Sequence, residues 1–192
     1  CSIGHKDIAL LGGIENDTSG VSGQRFRGYR SALDRHSIRF DPALVRFCGL
    51  FTMQRGYDAT CELLQEGRRP TAIFCIADQL AVGSCKGIFN AGLSVPKDVS
   101  VMGFDGSEMA KYYEPSICTV RQPKGEIARQ TVKVLIDLMN GSKKNRRLKS
   151  LPEDRAHLRI KFKKAIFKRF LLDSSASKAS EKCCMNISGA FS

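Results

Sequence analysis

What this 192-residue chain lacks narrows its function first. No apolar run approaches the roughly 20 residues that a bilayer-spanning helix needs, and no secretory signal opens the chain. It starts at Cys1 and reaches strand-like residues almost at once, which sets the expectation of a portion of a longer, cytoplasmic protein. Gly12-Gly13 has neither the G-x-G-x-x-G spacing nor a G-K-[ST] ending, so no phosphate-binding loop is supported. G-x-S-x-G and H-E-x-x-H are both missing. His5, His36 and His157 are scattered and no C-x-x-C occurs, so zinc-ligand spacing is absent as well. Asp78 and Asp105 each end an apolar run and could form a general acid–base pair, but nothing near them in sequence supplies a nucleophile or a metal. The expectation is a protein that is not an enzyme and uses no metal or cofactor.

The eight cysteines do not read as a disulfide framework. Cys61, Cys75, Cys85 and Cys118 fall inside predicted helices or strands, where a reduced thiol behaves as a small hydrophobe. Cys183-Cys184 is an adjacent, oxidation-prone pair. The net charge of +12 suggests nucleic acid until it is divided by position. From Lys143 onward there are 14 Lys and Arg against 4 Asp and Glu, whereas residues 1–142 carry 17 against 15. The basicity belongs to the tail. Residues 143–192 are expected to be irregular, disordered or aberrant, with a frameshift after about Leu151 and a basic nucleic-acid-binding arm as competing explanations.

The body alternates strand and helix. Asp7 to Gly12 predicts a strand, followed by a Gly-rich loop to Gly23 and a helix with Phe26, Tyr29, Ala32 and Leu33 on one face. Leu44 to Leu50 predicts a second strand. Gln54 to Glu66 predicts a helix turning Tyr57, Cys61 and Leu64 inward. Thr71 to Ile76, a helix opened by Asp78 with Ala81, Cys85, Ile88 and Phe89 inward, and Val99 to Phe104 make a right-handed βαβ unit. Ile117 to Gln122 is extended, and Pro123 starts a helix with Ile127, Thr131, Val134, Leu135 and Leu138 as its apolar stripe. The pattern is an α/β fold, a parallel sheet covered by helices on both faces. Ligands of such sheets sit beyond the carboxyl ends of the strands.

SIGHKDIALLGG, QRFRGYRSAL, RRPTAIFCIADQLAVGSCKGIFNAGLSVPKDVSVMGFD and EPSICTVRQP follow one another in the order of LacI-type transcription regulators. The resemblance covers about Ile3 to Gly141. It implies a periplasmic-binding-protein-like fold in which two lobes close on a small effector, commonly a sugar or nucleoside. It also implies an N-terminal helix-turn-helix, not present in this chain, and a homodimer on operator DNA, away from membranes. Residues 1–122 would be the second lobe. Residues 123–142 would be a crossover helix belonging to a first lobe that is largely missing, which leaves its apolar stripe orphaned.

The resemblance also carries individual residues. Arg25 matches an arginine that reaches the effector, Phe51 an aromatic that stacks on it, and Asp105 an acid that accepts its hydroxyls. Gln122 matches a hinge residue within reach of the ligand. Asp78 matches one member of a polar pair whose other position is Ala77 here. Val82 and Tyr113 match dimer contacts. Each has a plainer reading: Arg25 as a solvated helix charge, Phe51 as core, Asp78 as a helix cap, Asp105 as a turn residue, and Val82 and Tyr113 as half-buried packing. Members of the family finish on a short strand after Leu-Pro; here Glu153 to His157 replaces it. A solute-binding protein of a sugar transporter shares the fold and is the alternative to a regulator.

Overall fold

Ala9, Leu10 and Leu11 form an unbroken apolar run and are completely buried, as in a central parallel strand covered on both faces. In the computed structural model, which describes residues 4–17, 20–140 and 157–159, they belong to strand β1 (Ile8–Gly12). β1 pairs in parallel with β2 (Val45–Phe47) on one side and β3 (Ala72–Cys75) on the other, and β3 pairs in parallel with β4 (Ser100–Asp105). β5 (Cys118–Arg121) and β6 (His157–Arg159) complete the sheet, in the order β2-β1-β3-β4-β5-β6. The helices are α1 (Val21–Arg35), α2 (Met53–Gln65), α3 (Asp78–Asn90), the short α4 (Glu108–Tyr112) and α5 (Lys124–Met139). Strand alternates with helix as expected, and the α/β class is that of the sequence reading.

The described residues fall into two compact units. One runs to Val120 and includes residues 158–159; the other begins at Arg121 and contains α5 and His157. In the second unit α5 leaves Ile127, Val132, Leu135 and Ile136 between 38% and 56% exposed. The expected irregular tail over 143–192 lies outside the described residues except at β6. That piece, His157–Arg159, is a strand of the sheet.

Two helix faces also differ from expectation. On α2 the buried residues are Gly56, Ala59, Thr60, Leu63 and Leu64, while Tyr57 and Cys61 are only half-buried. The reason is the close approach of α3. A Cβ on Gly56 would lie 2.2 Å from the Leu80 carbonyl oxygen, and one on Gly83 would lie 1.8 Å from that of Met53. Small residues let the two backbones touch. The Thr60 hydroxyl bonds to the Gly56 carbonyl at 2.8 Å and to the Ser84 hydroxyl at 3.0 Å, which satisfies the polar atoms in that seam. Pressed between α2 and the sheet, α3 is buried nearly all round, and Phe89, expected inward, is 38% exposed.

Candidate functional site

The carboxyl ends of β1, β3 and β4 come together beside the first turns of α1. Arg25, one turn into α1, reaches to the ends of β3 and β4. One guanidinium nitrogen donates to the Ile76 carbonyl just beyond β3, and another donates to Asp105 Oδ1 at 3.1 Å at the end of β4. The guanidinium lies 3.9 Å above the centre of the Phe104 ring. Held by a carbonyl, a carboxylate and an aromatic face, this planar fork has one orientation. Its side chain is only 13% exposed, so the reading of Arg25 as a solvated helix charge does not hold.

Asp105 is the unusual residue of the group. Its φ of 119° is a conformation that L-residues avoid, at a cost of roughly 1–3 kcal/mol. Gly106 follows with φ 63° and donates its amide to the Thr119 hydroxyl at 3.2 Å, which holds the turn. The Asp105 carboxylate meets Arg25, and its side chain is 32% exposed. A strained residue at a strand end, paired and partly open to solvent, is a mark of a functional position.

Phe51, 36% exposed, precedes α2, whose first turn is capped by the Thr52 hydroxyl accepting from Arg55 N–H at 3.3 Å. A Cβ on Gly13 would lie 2.5 Å from the Phe51 ring and 2.2 Å from the Ser22 hydroxyl. Gly13 is therefore glycine because a ring and a hydroxyl rest against its backbone, and Phe51 sits over the end of β1 rather than within the core. On the same side, Asp17 accepts the Gly20 amide at 2.6 Å and the Gly23 amide at 3.1 Å, which closes the start of α1.

Asp78 is not a cap. Ala77 holds that position without a side-chain bond, and Asp78 is the first helical residue of α3. Its side chain turns inward and is 2% exposed. One oxygen accepts from Ser107 N–H at 2.6 Å and the other from the Thr119 hydroxyl. Both oxygens tie the chain after β4 and strand β5 to α3. Val82, expected at a dimer contact, is 9% exposed and packed in the main hydrophobic core, so little of its side chain is left for a partner. Tyr113 is half-buried against that core, and burial pushes its hydroxyl pKa up. Gln122 is half-buried and lies in the second unit, just past the end of β5.

Three contributors were not read from the sequence: Phe104 beneath Arg25, the Ile76 carbonyl, and Asp17. Only Asp17 carried a local signal, an Asp ahead of Gly20 at the start of a helix.

Residues 2–159 match the family described as periplasmic binding protein-like domain. The chain belongs to this family. Within it, the resemblance to LacI-type regulators stands. The HTH-type transcriptional regulator MalR of Clostridium butyricum is 39% identical over 141 residues, which are 73% of this chain and 41% of that protein. The Lac repressor dimer, solved on its operator with the anti-inducer ONPF, superimposes with a TM-score of 0.66 at 31% identity. It covers 74% of this chain, which in turn covers 48% of that one. The transcriptional regulator CelR in complex with cellobiose gives 0.67 at 32% identity, over 73% of this chain and 42% of that one. The periplasmic binding protein-like chain thus spans about two fifths of the length of the curated relatives it matches. Those relatives are regulators rather than enzymes.

Proposed function

We propose that the first unit is one side of the effector cleft of a LacI-type transcription repressor, and that it takes a small polyhydroxylated effector, a sugar first among the candidates. The observation that carries this reading is the Arg25–Asp105 pair at the carboxyl ends of the strands, with the half-open ring of Phe51 over the neighbouring end. Arg25 offers N–H donors and Asp105 an acceptor side by side, the match for sugar hydroxyls that both accept and donate. An aromatic ring suits the apolar face of a sugar or base. Asp78, with both oxygens engaged in the interior, is given no ligand contact.

In the longer regulator, effector binding would shift a homodimer between geometries that fit and do not fit the operator half-sites. Operator contact falls to a helix-turn-helix of the kind the relatives' names state. The dimer contact is assigned to the region of Tyr113, beside Tyr112 with its 74% exposure, rather than to Val82. That the curated relatives include repressors of transcription favours this reading over a transport protein and supports action in the cytoplasm.

A titration of the 192-residue chain with hexoses, pentoses and nucleosides, followed by amide chemical shifts, tests the reading. Shifts centred on Gly13, Phe51 and Asp105, weak because one side of a cleft binds alone, and lost in Arg25→Ala, are expected. Shifts elsewhere, or none, overturn it, and micromolar affinity in calorimetry contradicts the half-cleft.

A further inference from the structure

We infer that this site selects neutral polyhydroxylated effectors against anionic ones, sugar phosphates and uronates, because the chain's own carboxylates already answer the positive features such anions would use. The inference rests on the first unit being the effector site and goes further by naming which class of effector it accepts. An anion entering at the carboxyl ends of these strands has two natural anchors, an arginine and the amides at the start of a long helix. Arg25 is the arginine, and its charge is met by Asp105 at 3.1 Å, while the Ile76 carbonyl and the Phe104 ring take its other faces. The α1 amides of Gly20 and Gly23 are held by the two oxygens of Asp17, so a phosphate there would meet a carboxylate in its place. A third point follows from the geometry of Asp105. Paired with Arg25 and 32% exposed, its carboxylate stands at the rim of the site, and a carboxylate facing a bound anion repels it whereas it accepts the hydrogen of a neutral hydroxyl.

A neutral vicinal diol fits the same arrangement without an uncompensated charge. One hydroxyl donates to Asp105 and accepts from Arg25, so the ion pair is bridged rather than broken. An incoming uronate must displace Asp105 from Arg25 and leave that carboxylate beside its own.

The test compares matched ligands on the 192-residue chain at about 0.15 M salt, where the overall positive charge is screened beyond about 8 Å. The pairs are galactose with galacturonate, glucose with glucose 6-phosphate, and ribose with ribose 5-phosphate, read by saturation-transfer NMR. The expected result is saturation of at least one neutral sugar, with its anionic partner roughly tenfold weaker or silent. In Asp105→Asn, which keeps a residue type tolerant of positive φ, the gap narrows or inverts. Asp17→Asn, with the helix start still capped, narrows it for the phosphates. An anion bound as tightly as its neutral partner by the parent chain overturns the inference and leaves the effector site in place, with exposed Arg55 on the first turn of α2 as the anchor to examine. Unchanged selectivity in both folded variants also overturns it. Silence of every sugar, neutral and charged, defeats the effector-site reading itself.

Discussion

Asp78 and Asp105 leave neighbouring strands of one sheet, at the same edge, and meet opposite fates. After β3 the chain enters α3 directly, and the carboxylate of Asp78 is drawn under the sheet's edge, where Ser107 and Thr119 saturate it. After β4 the chain turns through a positive φ, and the carboxylate of Asp105 stays at the rim against Arg25. A carboxylate at a strand's carboxyl end is thus not a ligand by position alone. What decides is whether the fold draws the carboxylate into the interior, as with Asp78, or leaves it part-open at the rim, as with Asp105.

The largest expected break in this comparison is Asp78→Ala. It strands a part-buried amide and a buried hydroxyl and should cost about 2–4 kcal/mol, read as a lower urea midpoint with unchanged slope. Next is Gly103→Ala in β4. A Cβ there would stand 2.4 Å from Asp78 Oδ1, and because that oxygen is held by Thr119 it cannot swing away. A loss of about 2 kcal/mol is expected, and Asp78 should report it through weakened protection of the Ser107 amide in hydrogen exchange. Asp105→Gly is the counterpart at the rim. Relief of the backbone offsets loss of a partly exposed ion pair, so stability should stay within about 1 kcal/mol of the parent while sugar-induced shifts disappear. A large destabilisation by Asp105→Gly would erase the distinction between the two acids.

The smallest effect near neutral pH comes from the buried core thiols of Cys75 and Cys85. Burial pushes the Cys85 thiol from 9.0 up to about 12, and it raises Cys75, at the end of β3, well above its ordinary value. A raised thiol pKa in the fold means that the unfolded chain loses its protons first. The contribution is complete below about pH 9 and is lost as pH rises from there towards 12. Urea midpoints should therefore be flat from pH 7 to 8.5 and fall above pH 9, and Cys85→Ala should flatten the fall. A midpoint that rises with alkalinity would contradict the buried, protonated thiols. Tyr29 reinforces the trend, since its hydroxyl donates to the Ile8 carbonyl at 2.8 Å and burial pushes its pKa up to about 12.

Much of the architecture was legible because it is local. The strand-like run of Ala9 to Leu11 and the βαβ unit around α3 follow from apolar runs and turn chemistry within a few residues. The pairing of Arg25 with Asp105 was suggested only as two separate positions, each by resemblance. The rest was hidden because it depends on distant partners. The face of α2 was misread since the closest helix contact uses Gly56 and Gly83, residues with no hydrophobic signal. Val82 shows the same dependence, since an apolar residue on a helix looks the same in sequence whether the sheet, another helix or a second copy covers it.

Sequence by itself determined the class of fold, the alternation of strand and helix from β1 to β4, and the concentration of positive charge after Lys143, since these rest on composition and short-range pattern. Tertiary structure alone decided which acid is a brace and which faces the site. Asp78 meets a hydroxyl 41 positions away and Asp105 meets an arginine 80 positions away. Only folding brings such groups within hydrogen-bonding distance, and it is that distance, not the residue type, that fixes where a carboxylate's charge is spent.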